Sequence, residues 1–161
     1  MSLNIRPARR EDSAVILSFI RKLAIYEKLE DEVTATEFQL QETLFGDKPY
    51  AEVLLGFDGG RAVAIALFFH NYSTFLAKPG IYLEDLFVDE AFRGRGFGTA
   101  MLRELARLAV QRECGRLEWS VLDWNAPAID FYKNLGACSM DGWTVNRLSG
   151  EALIKMASEN A

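Results

Sequence analysis

The chain has 161 residues, half of them apolar and a quarter charged, which fits a single globular domain over residues 1–161. Its formal net charge of −5 argues against nucleic acid or an anionic membrane as the main partner. Two cysteines and one histidine do not complete a zinc site, and no run approaches the roughly 18 apolar residues of a membrane span. We therefore expect no metal, reduced thiols and a cytoplasmic protein.

Periodicity and turn signals predict an α/β chain with a mixed sheet. A capping box at Thr36 and Gln39 and a hairpin turn at Asp58-Gly59-Gly60 mark two boundaries. In chain order the pattern predicts a strand at Ile5–Ala8, helices at Asp12–Tyr26 and Thr36–Gly46, strands at Ala51–Phe57 and Ala62–His70, a loop at Ser73–Gly80, a strand at Ile81–Val88, a helix at Gly96–Gln111, a strand at Arg116–Leu122, a helix at Ala126–Leu135, a strand at Trp143–Leu148 and a short C-terminal helix from Ser149.

A glycine-rich stretch, Arg93-Gly94-Arg95-Gly96-Phe97-Gly98, follows the predicted strand Ile81–Val88 and opens the long helix. Glycine adopts positive φ readily and lets the backbone come close to a ligand. The first N–H groups of a helix have no intrahelical partner and carry the positive end of the helix dipole. The stretch therefore predicts a binding site for the phosphates of a nucleotide-like cofactor.

Three kinds of phosphate-binding loop are candidates for this stretch. A P-loop needs a Lys-Ser/Thr pair after its last glycine, and Thr99-Ala100 does not provide it. A dinucleotide loop needs glycine where Thr99 stands, although Glu118 lies about where a ribose-binding acid is expected. The coenzyme A loop of the GNAT acetyltransferases, Arg/Gln-x-x-Gly-x-Gly/Ala, is filled by Arg93, Gly96 and Gly98.

Further motifs resemble the diamine (spermidine/spermine-type) and thialysine branch of the GNAT N-acetyltransferases. They are Ile5–Ala8, Tyr26-Glu27, Phe45–Pro49, Tyr82–Val88 and Leu122–Ala137. The resemblance as a whole extends from about Ile5 to Trp143. It implies an α/β GNAT fold, with a mixed, mostly antiparallel central sheet, a splayed strand pair and flanking helices. It also implies acetyl transfer from acetyl-CoA to a primary amine of a small cationic substrate, by direct attack in a ternary complex, and a homodimer.

The resemblance implies two groups of residues that bind acetyl-CoA. The glycine-rich loop is expected to hold the pyrophosphate by backbone N–H groups, and the strand before it to offer its backbone to the pantetheine arm. With a third segment at the start of the helix Ala126–Leu135, the expected cofactor-binding residues are Leu86, Phe87, Val88, Arg93, Gly94, Arg95, Gly96, Phe97, Gly98, Thr99, Asn125, Ala126, Pro127 and Ala128. Asn125 has a structural alternative, because it is also a good helix cap.

Two catalytic residues are implied in the same way. Glu84 is expected to take part in amine deprotonation, and Tyr132 to give a proton to the departing thiolate. Tyr26, Glu27, Glu84 and Asp85 are expected to line the amine pocket. The structural alternatives are a core tyrosine for Tyr132, a carboxylate at a strand end for Glu84 and a solvated acidic turn for Glu27. Strand alternation predicts that Glu84 and Asp85 lie on opposite faces of the sheet.

The choice of amine is where the chain departs from the pattern. Ser73 stands where polyamine-acetylating members carry an acidic residue, which favours a small lysine-like or diamine substrate over spermine. Three other functions remain open from the sequence. They are acetyl transfer to a protein or peptide amine, CoA binding without catalysis, and dinucleotide binding. Glu84 and Tyr132 argue against the module, since CoA binding alone needs neither.

Overall fold

The structure, a computed structural model, describes residues 2–158. It divides into two units, Met1–Ser120 and Val121–Ala161. The first contains strands β1 (Asn4–Pro7), β2 (Glu52–Asp58), β3 (Arg61–Ser73), β4 (Lys78–Val88) and β5 (Leu117–Trp119), with helices α1 (Ser13–Tyr26), α2 (Glu37–Phe45) and α3 (Phe97–Gln111). The second contains α4 (Ala126–Asn134) and α5 (Gly150–Ser158), and short 3-10 turns lie at Arg10–Asp12, Glu30–Glu32 and Glu90–Phe92.

The sheet has five strands in the order β1-β2-β3-β4-β5. Neighbours from β1 to β4 are antiparallel, whereas β4 and β5 are parallel and pair only at Ile81–Leu83 with Leu117–Trp119. β4 continues to Val88 after β5 has ended. The predicted GNAT-type sheet, mixed and mostly antiparallel with a strand pair that separates, is confirmed.

Helices α1 and α2 cover one face of the sheet. Their apolar residues recur at helical spacing, so they lie on one side of each helix and pack against the strands. The resulting core contains Ile16, Leu17, Phe19, Leu40, Leu44, Val53, Leu55, Ile65 and Phe87. Burying a side chain of this size stabilises the fold by about 1.5–3 kcal/mol. Helix α3 contacts β2, β3, β4 and β5, with Met101 and Leu105 fully buried.

Local sequence signals place most boundaries correctly. Thr36 Oγ1 accepts the N–H of Gln39 at 3.2 Å, so the predicted capping box starts α2. Gly59 and Gly60 both have positive φ in the turn between β2 and β3. Gly136 has a φ of +92° just after α4, as expected of the residue that ends a helix in the left-handed conformation.

Two predicted boundaries and one predicted strand are wrong. The loop predicted at Ser73–Gly80 is shorter, because β3 extends to Ser73 and pairs with a β4 that begins at Lys78. The strand predicted at Arg116–Leu122 has only three residues, Leu117–Trp119. The segment Trp143–Leu148 forms no strand. Within residues 2–158 it has no ladder partner, and an apolar pattern makes a strand only where a neighbour can accept its hydrogen bonds.

No helix within residues 2–158 combines the length and the apolar character that crossing a membrane requires.

Candidate active site

A bulge in β4 sets the direction of its acidic side chains. Phe68 pairs with Leu83 and Leu67 with Asp85, so Glu84 is one extra residue on β4. Bulges interrupt the alternation of a strand and re-aim its side chains. Asp85 thereby shares a face with Leu67, which packs against the core under α1 and α2. The regular alternation from which opposite faces were predicted for Glu84 and Asp85 is interrupted at this point, and that placement stays a prediction.

Three carboxylates act on one another at this bulge. Burial, followed by the charges of Glu84 and Glu27, raises the pKa of Asp85 to about 6. Burial, followed by the charge of Glu84, also raises the pKa of Glu27, which ends α1. We call Glu27, Glu84 and Asp85 the acidic cluster. Such a cluster attracts a cation and provides a carboxylate able to take up a proton near neutral pH.

The glycine-rich loop has the backbone that its sequence predicts. Gly94 and Gly96 have φ of +77° and +78°, and a Cβ placed on either would meet no atom within 4 Å. Gly96 caps α3 without a side chain, and its carbonyl accepts the N–H of Ala100 at 3.0 Å. The N–H groups of Phe97, Gly98 and Thr99 precede the first intrahelical bond, so they are donors suited to an anion.

The two arginines of this loop make contacts within the protein. The Arg93 guanidinium lies 4.8 Å from the ring centre of Tyr26 and 5.3 Å from that of Phe87. The Arg95 guanidinium lies 4.9 Å from the Phe92 ring and 3.5 Å from Asp58 Oδ2. The loop therefore presents its backbone donors, while both guanidinium groups are engaged by neighbouring side chains.

The end of β4 offers backbone groups to a ligand. Asp89 N donates to Val63 O at 2.9 Å, and Phe87 pairs with Ile65. Because hydrogen-bonded and non-hydrogen-bonded pairs alternate in an antiparallel ladder, the backbone groups of Leu86 and Val88 point away from β3. They face the side on which β5 has already ended. An extended chain can pair there as an added strand.

Asp89, which the sequence analysis did not single out, fixes this end of β4. Its carboxylate accepts Lys22 Nζ of α1 at 2.8 Å and lies 3.5 Å from Arg61. The hydrogen bond from Lys22 lowers the pKa of Asp89. The sequence shows an acid directly after a strand and a lysine one turn before the end of α1. It does not show that the two form an ion pair, because their pairing depends on the tertiary fold.

The second unit holds the remaining predicted residues. Asn125 Oδ1 accepts the N–H of Ala128 at 3.3 Å, and Pro127 lies in the first turn of α4. The structural alternative for Asn125, a helix cap, is therefore confirmed, whereas its contact with CoA stays a prediction. Tyr132 lies on α4, with its ring centre 5.4 Å from that of Phe131. Its predicted role as a proton donor stays a prediction too.

Ser73 is a structural residue in this fold. It is buried, and its Oγ accepts the N–H of Leu76 at 3.3 Å in the turn between β3 and β4. It pairs with Lys78, six residues before Glu84 on β4, which corresponds to about 20 Å along an extended strand. A small amine held by Glu84 therefore does not reach Ser73 of the same chain.

A cavity of about 280 Å³ lies at the other end of α3, and the acidic cluster and the loop do not line it. Its walls include Pro7, Phe45, Pro49, Leu54 and Leu108. Within residues 2–158 no group of three histidine, cysteine or acidic side chains is arranged to hold a metal ion.

Comparison with known proteins connects these features to a family. The sequence model of the acetyltransferase (GNAT) family matches residues 20–137. The chain is 38% identical to a thialysine N-epsilon-acetyltransferase of Bos taurus, over 96% of this chain and 97% of that protein. It is 33% identical to an L-ornithine N5-acetyltransferase of Arabidopsis thaliana, over 95% of this chain and 87% of that protein.

A solved structure agrees at the level of the fold. An integron cassette protein from the mobile metagenome of V. cholerae superposes with a TM-score of 0.84 at 24% identity, covering 99% of both chains.

Proposed function

The chain belongs to the acetyltransferase (GNAT) family and is an acetyl-CoA-dependent N-acetyltransferase, and we propose that its acceptor is the primary amine of a small cation, a diamine or a lysine-like amine such as thialysine. The observation that carries this proposal is the acidic cluster at the β4 bulge. It is close in the chain to the outward-facing backbone of Leu86 and to the outward-facing N–H of Val88, whose carbonyl accepts Arg93 Nε. A cation held by the cluster has its amine beside the strand that we propose for the pantetheine arm.

The cofactor site that we propose joins the loop to the edge of β4. The backbone donors from Gly94 to Thr99 suit the pyrophosphate, because positive-φ glycines and free helix N–H groups converge there. Leu86 and Val88 suit the pantetheine arm, as an added strand. Asn125 to Ala128 complete the proposed set of contacts. Bound there, acetyl-CoA supplies the acetyl thioester that the amine attacks directly in a ternary complex.

Proton transfer is assigned to side chains of this chain. An alkyl ammonium has a pKa of about 10 and must lose a proton before it attacks. Glu84 and Asp85 are the proposed acceptors, directly or through water, and the raised pKa of Asp85 supports this role near neutral pH. Tyr132 is the proposed donor of a proton to the departing thiolate. Backbone N–H groups of β4 polarise the thioester carbonyl.

The substrate is proposed to be small because the acidic cluster is small. Glu27 can neutralise one distal ammonium, whereas a longer polycation leaves further charges without a partner. Both the thialysine and the ornithine acetyltransferases that this chain resembles are named for small amine substrates. A peptide amine is the second candidate, and the acidic cluster favours the small cation over it.

Two further proposals concern the whole protein. We propose a cytoplasmic location, supported by free thiols at Cys114 and Cys138. We also propose a homodimer, supported by exposed apolar side chains in the second unit, among them Trp143, Leu153 and Ile154.

A turnover screen tests the proposed function. Thiol release from acetyl-CoA is followed with diamines, ornithine, lysine, thialysine, spermidine, spermine and a lysine-containing peptide at equal concentrations. We expect the highest kcat/KM with a diamine or lysine-like amine. A higher kcat/KM with the peptide, or CoA binding without turnover of any amine, contradicts the proposal.

A further inference from the structure

We infer that Arg93 is a positioning residue for the amine side of the site, holding the Tyr26 ring against the end of β4 beside the glycine-rich loop. The inference rests on the proposed function, in which Tyr26 and Glu27 line the amine pocket. The resemblance places Arg93 among the cofactor-binding residues; the inference keeps its backbone in the cofactor loop and gives its side chain a separate role.

The contacts of Arg93 join three elements. The guanidinium lies over the ring of Tyr26, at the end of α1, and over the ring of Phe87, in β4. Its Nε donates to Val88 O at 3.0 Å. Arg93 itself is the first residue of the glycine-rich stretch. One planar side chain thus connects the helix that carries Glu27, the strand that carries Asp85 and the loop proposed to bind CoA.

The chemistry of the guanidinium suits this role. A planar delocalised cation stacks on aromatic rings and donates in its own plane at the same time, which an ammonium cannot do. Each cation–π contact at an exposed site is worth roughly a twofold to fivefold change in an equilibrium constant. Tyr26 is half-exposed at the end of its helix, so removing Arg93 takes away a contact that limits where the ring can lie.

Arg93 leaves the acidic cluster negative. Burial, followed by the charges of neighbouring carboxylates, raises the pKa values of Glu27 and Asp85. The Arg93 guanidinium is occupied by two rings and a carbonyl. The cluster therefore keeps its charge for an ammonium, while Arg93 orients the wall of the pocket.

The test separates the amine from the cofactor. Arg93→Ala is expected to raise KM for the preferred amine about threefold to tenfold and to change the Kd of CoA less than twofold. Arg93→Lys, which keeps the charge without the plane, is expected to restore less than half of the loss. Arg61→Ala is the control, because it also removes a guanidinium stacked on a nearby ring, that of Phe92 at 5.1 Å. Lys22 at 2.8 Å still holds the Asp89 carboxylate that Arg61 approaches at 3.5 Å, so both constants should stay unchanged.

A double-mutant cycle with Tyr26→Leu shows whether the two residues act together. The loss of kcat/KM for the amine in each variant is converted into a free energy. We expect the loss in the double variant to be smaller than the sum of the losses in the two single variants. The NMR signals of the Tyr26 ring should shift in Arg93→Ala and stay in place in Arg61→Ala. That readout needs no substrate, so it tests Arg93 even if no amine is acetylated and the proposed function fails.

Three results overturn the inference. The first is a larger effect of Arg93→Ala on CoA affinity than on the KM of the amine, which would make Arg93 a ligand of the cofactor. The second is strict additivity of Arg93→Ala and Tyr26→Leu, and the third is unchanged Tyr26 ring signals in Arg93→Ala.

Discussion

Among single residues, the extra residue of the β4 bulge, Glu84, is the one that brings the acidic side chains of the cluster together. Glu84 is the extra residue of the β4 bulge, and Asp85 consequently faces the core under α1 and α2. A buried carboxylate beside other carboxylates costs folding free energy. The site therefore carries charge that the fold alone does not need, as expected where a carboxylate has a chemical task.

Replacing Asp85 with asparagine is expected to stabilise the protein at neutral pH. The folded pKa of Asp85 is about 6, above its ordinary value of 3.8. The folded state thus binds the proton more tightly than the unfolded state, so the destabilisation is absent below about pH 4 and grows as the pH rises to 6. We expect Asp85→Asn to gain on the order of 1–3 kcal/mol at pH 7.5 and much less at pH 4.5.

Urea unfolding of both proteins at the two pH values measures this difference. Lower stability of the variant at pH 7.5, or the same difference at both values, would contradict the assignment of a raised pKa to Asp85.

Tyr132 is expected to act through its hydroxyl. Tyr132→Phe removes that group and keeps the ring that lies beside Phe131. General acid catalysis contributes about 10²–10⁴-fold, so kcat should fall by a factor in that range, while the Kd of CoA and the melting temperature stay close to those of the unchanged protein. Phe131→Tyr on the same helix is not expected to restore the rate. A variant with full turnover would make Tyr132 a packing residue.

Among the secondary-structure elements, the loop that connects β4 to α3 is the part best predicted from sequence. Glycines at positions 94 and 96 predict positive φ, and both have it. The helix start at Phe97 follows directly. These features are local, because backbone conformation and helix capping depend on neighbouring residues. The directions of Arg93 and Arg95 depend on partners distant in sequence, Tyr26 and Asp58, so the glycine pattern does not predict them.

Other features of the elements also depend on residues distant in sequence, so local sequence patterns do not predict them. The extra residue at Glu84 is visible only once Leu67 and Phe68 are paired with β4. Lys78 to Gly80 contain a proline and a glycine, which predict a loop, yet they pair with the end of β3. Trp143–Leu148 has the pattern of a strand but no ladder partner within residues 2–158.

Gly96→Val is expected to abolish CoA binding in a folded protein. Valine at a φ of +78° is strained, although its Cβ meets no atom within 4 Å. The loop then moves to a permitted conformation, and the N–H groups at the start of α3 no longer converge. Gly136→Val is the control, since Gly136 has a φ of +92° and equal space but lies after α4. Titration calorimetry with CoA, with circular dichroism of each variant, measures the outcome. Unchanged CoA affinity in Gly96→Val would remove the loop from the cofactor site.

At the scale of the whole molecule, the second unit leaves many apolar side chains exposed. Trp143 is 83% exposed and Ile154 is 70% exposed. Where exposed apolar side chains form a contiguous patch, the patch often marks a site of protein–protein interaction. A second copy of the chain is the partner that we propose for it.

Light scattering at micromolar concentration is expected to give the mass of a dimer. Ile154→Lys should shift the mass toward the monomer, because it places a charge in the proposed interface. Val110→Lys, at a residue that is 80% exposed on α3, should not. A monomer for the unchanged protein contradicts the homodimer, and a dimer for Ile154→Lys contradicts this placement of the interface.

A competition assay between two amines tests whether the acetyl group goes to a small cation held by the acidic cluster. Thialysine and spermine are supplied together at equal concentration with acetyl-CoA, and mass spectrometry measures the two acetylated products. We predict more acetyl-thialysine than acetylspermine. Glu27→Gln should lower kcat/KM for thialysine several-fold, whereas Glu30→Gln, in the neighbouring 3-10 turn, should not. An excess of acetylspermine, or an unchanged kcat/KM in Glu27→Gln, would contradict the account.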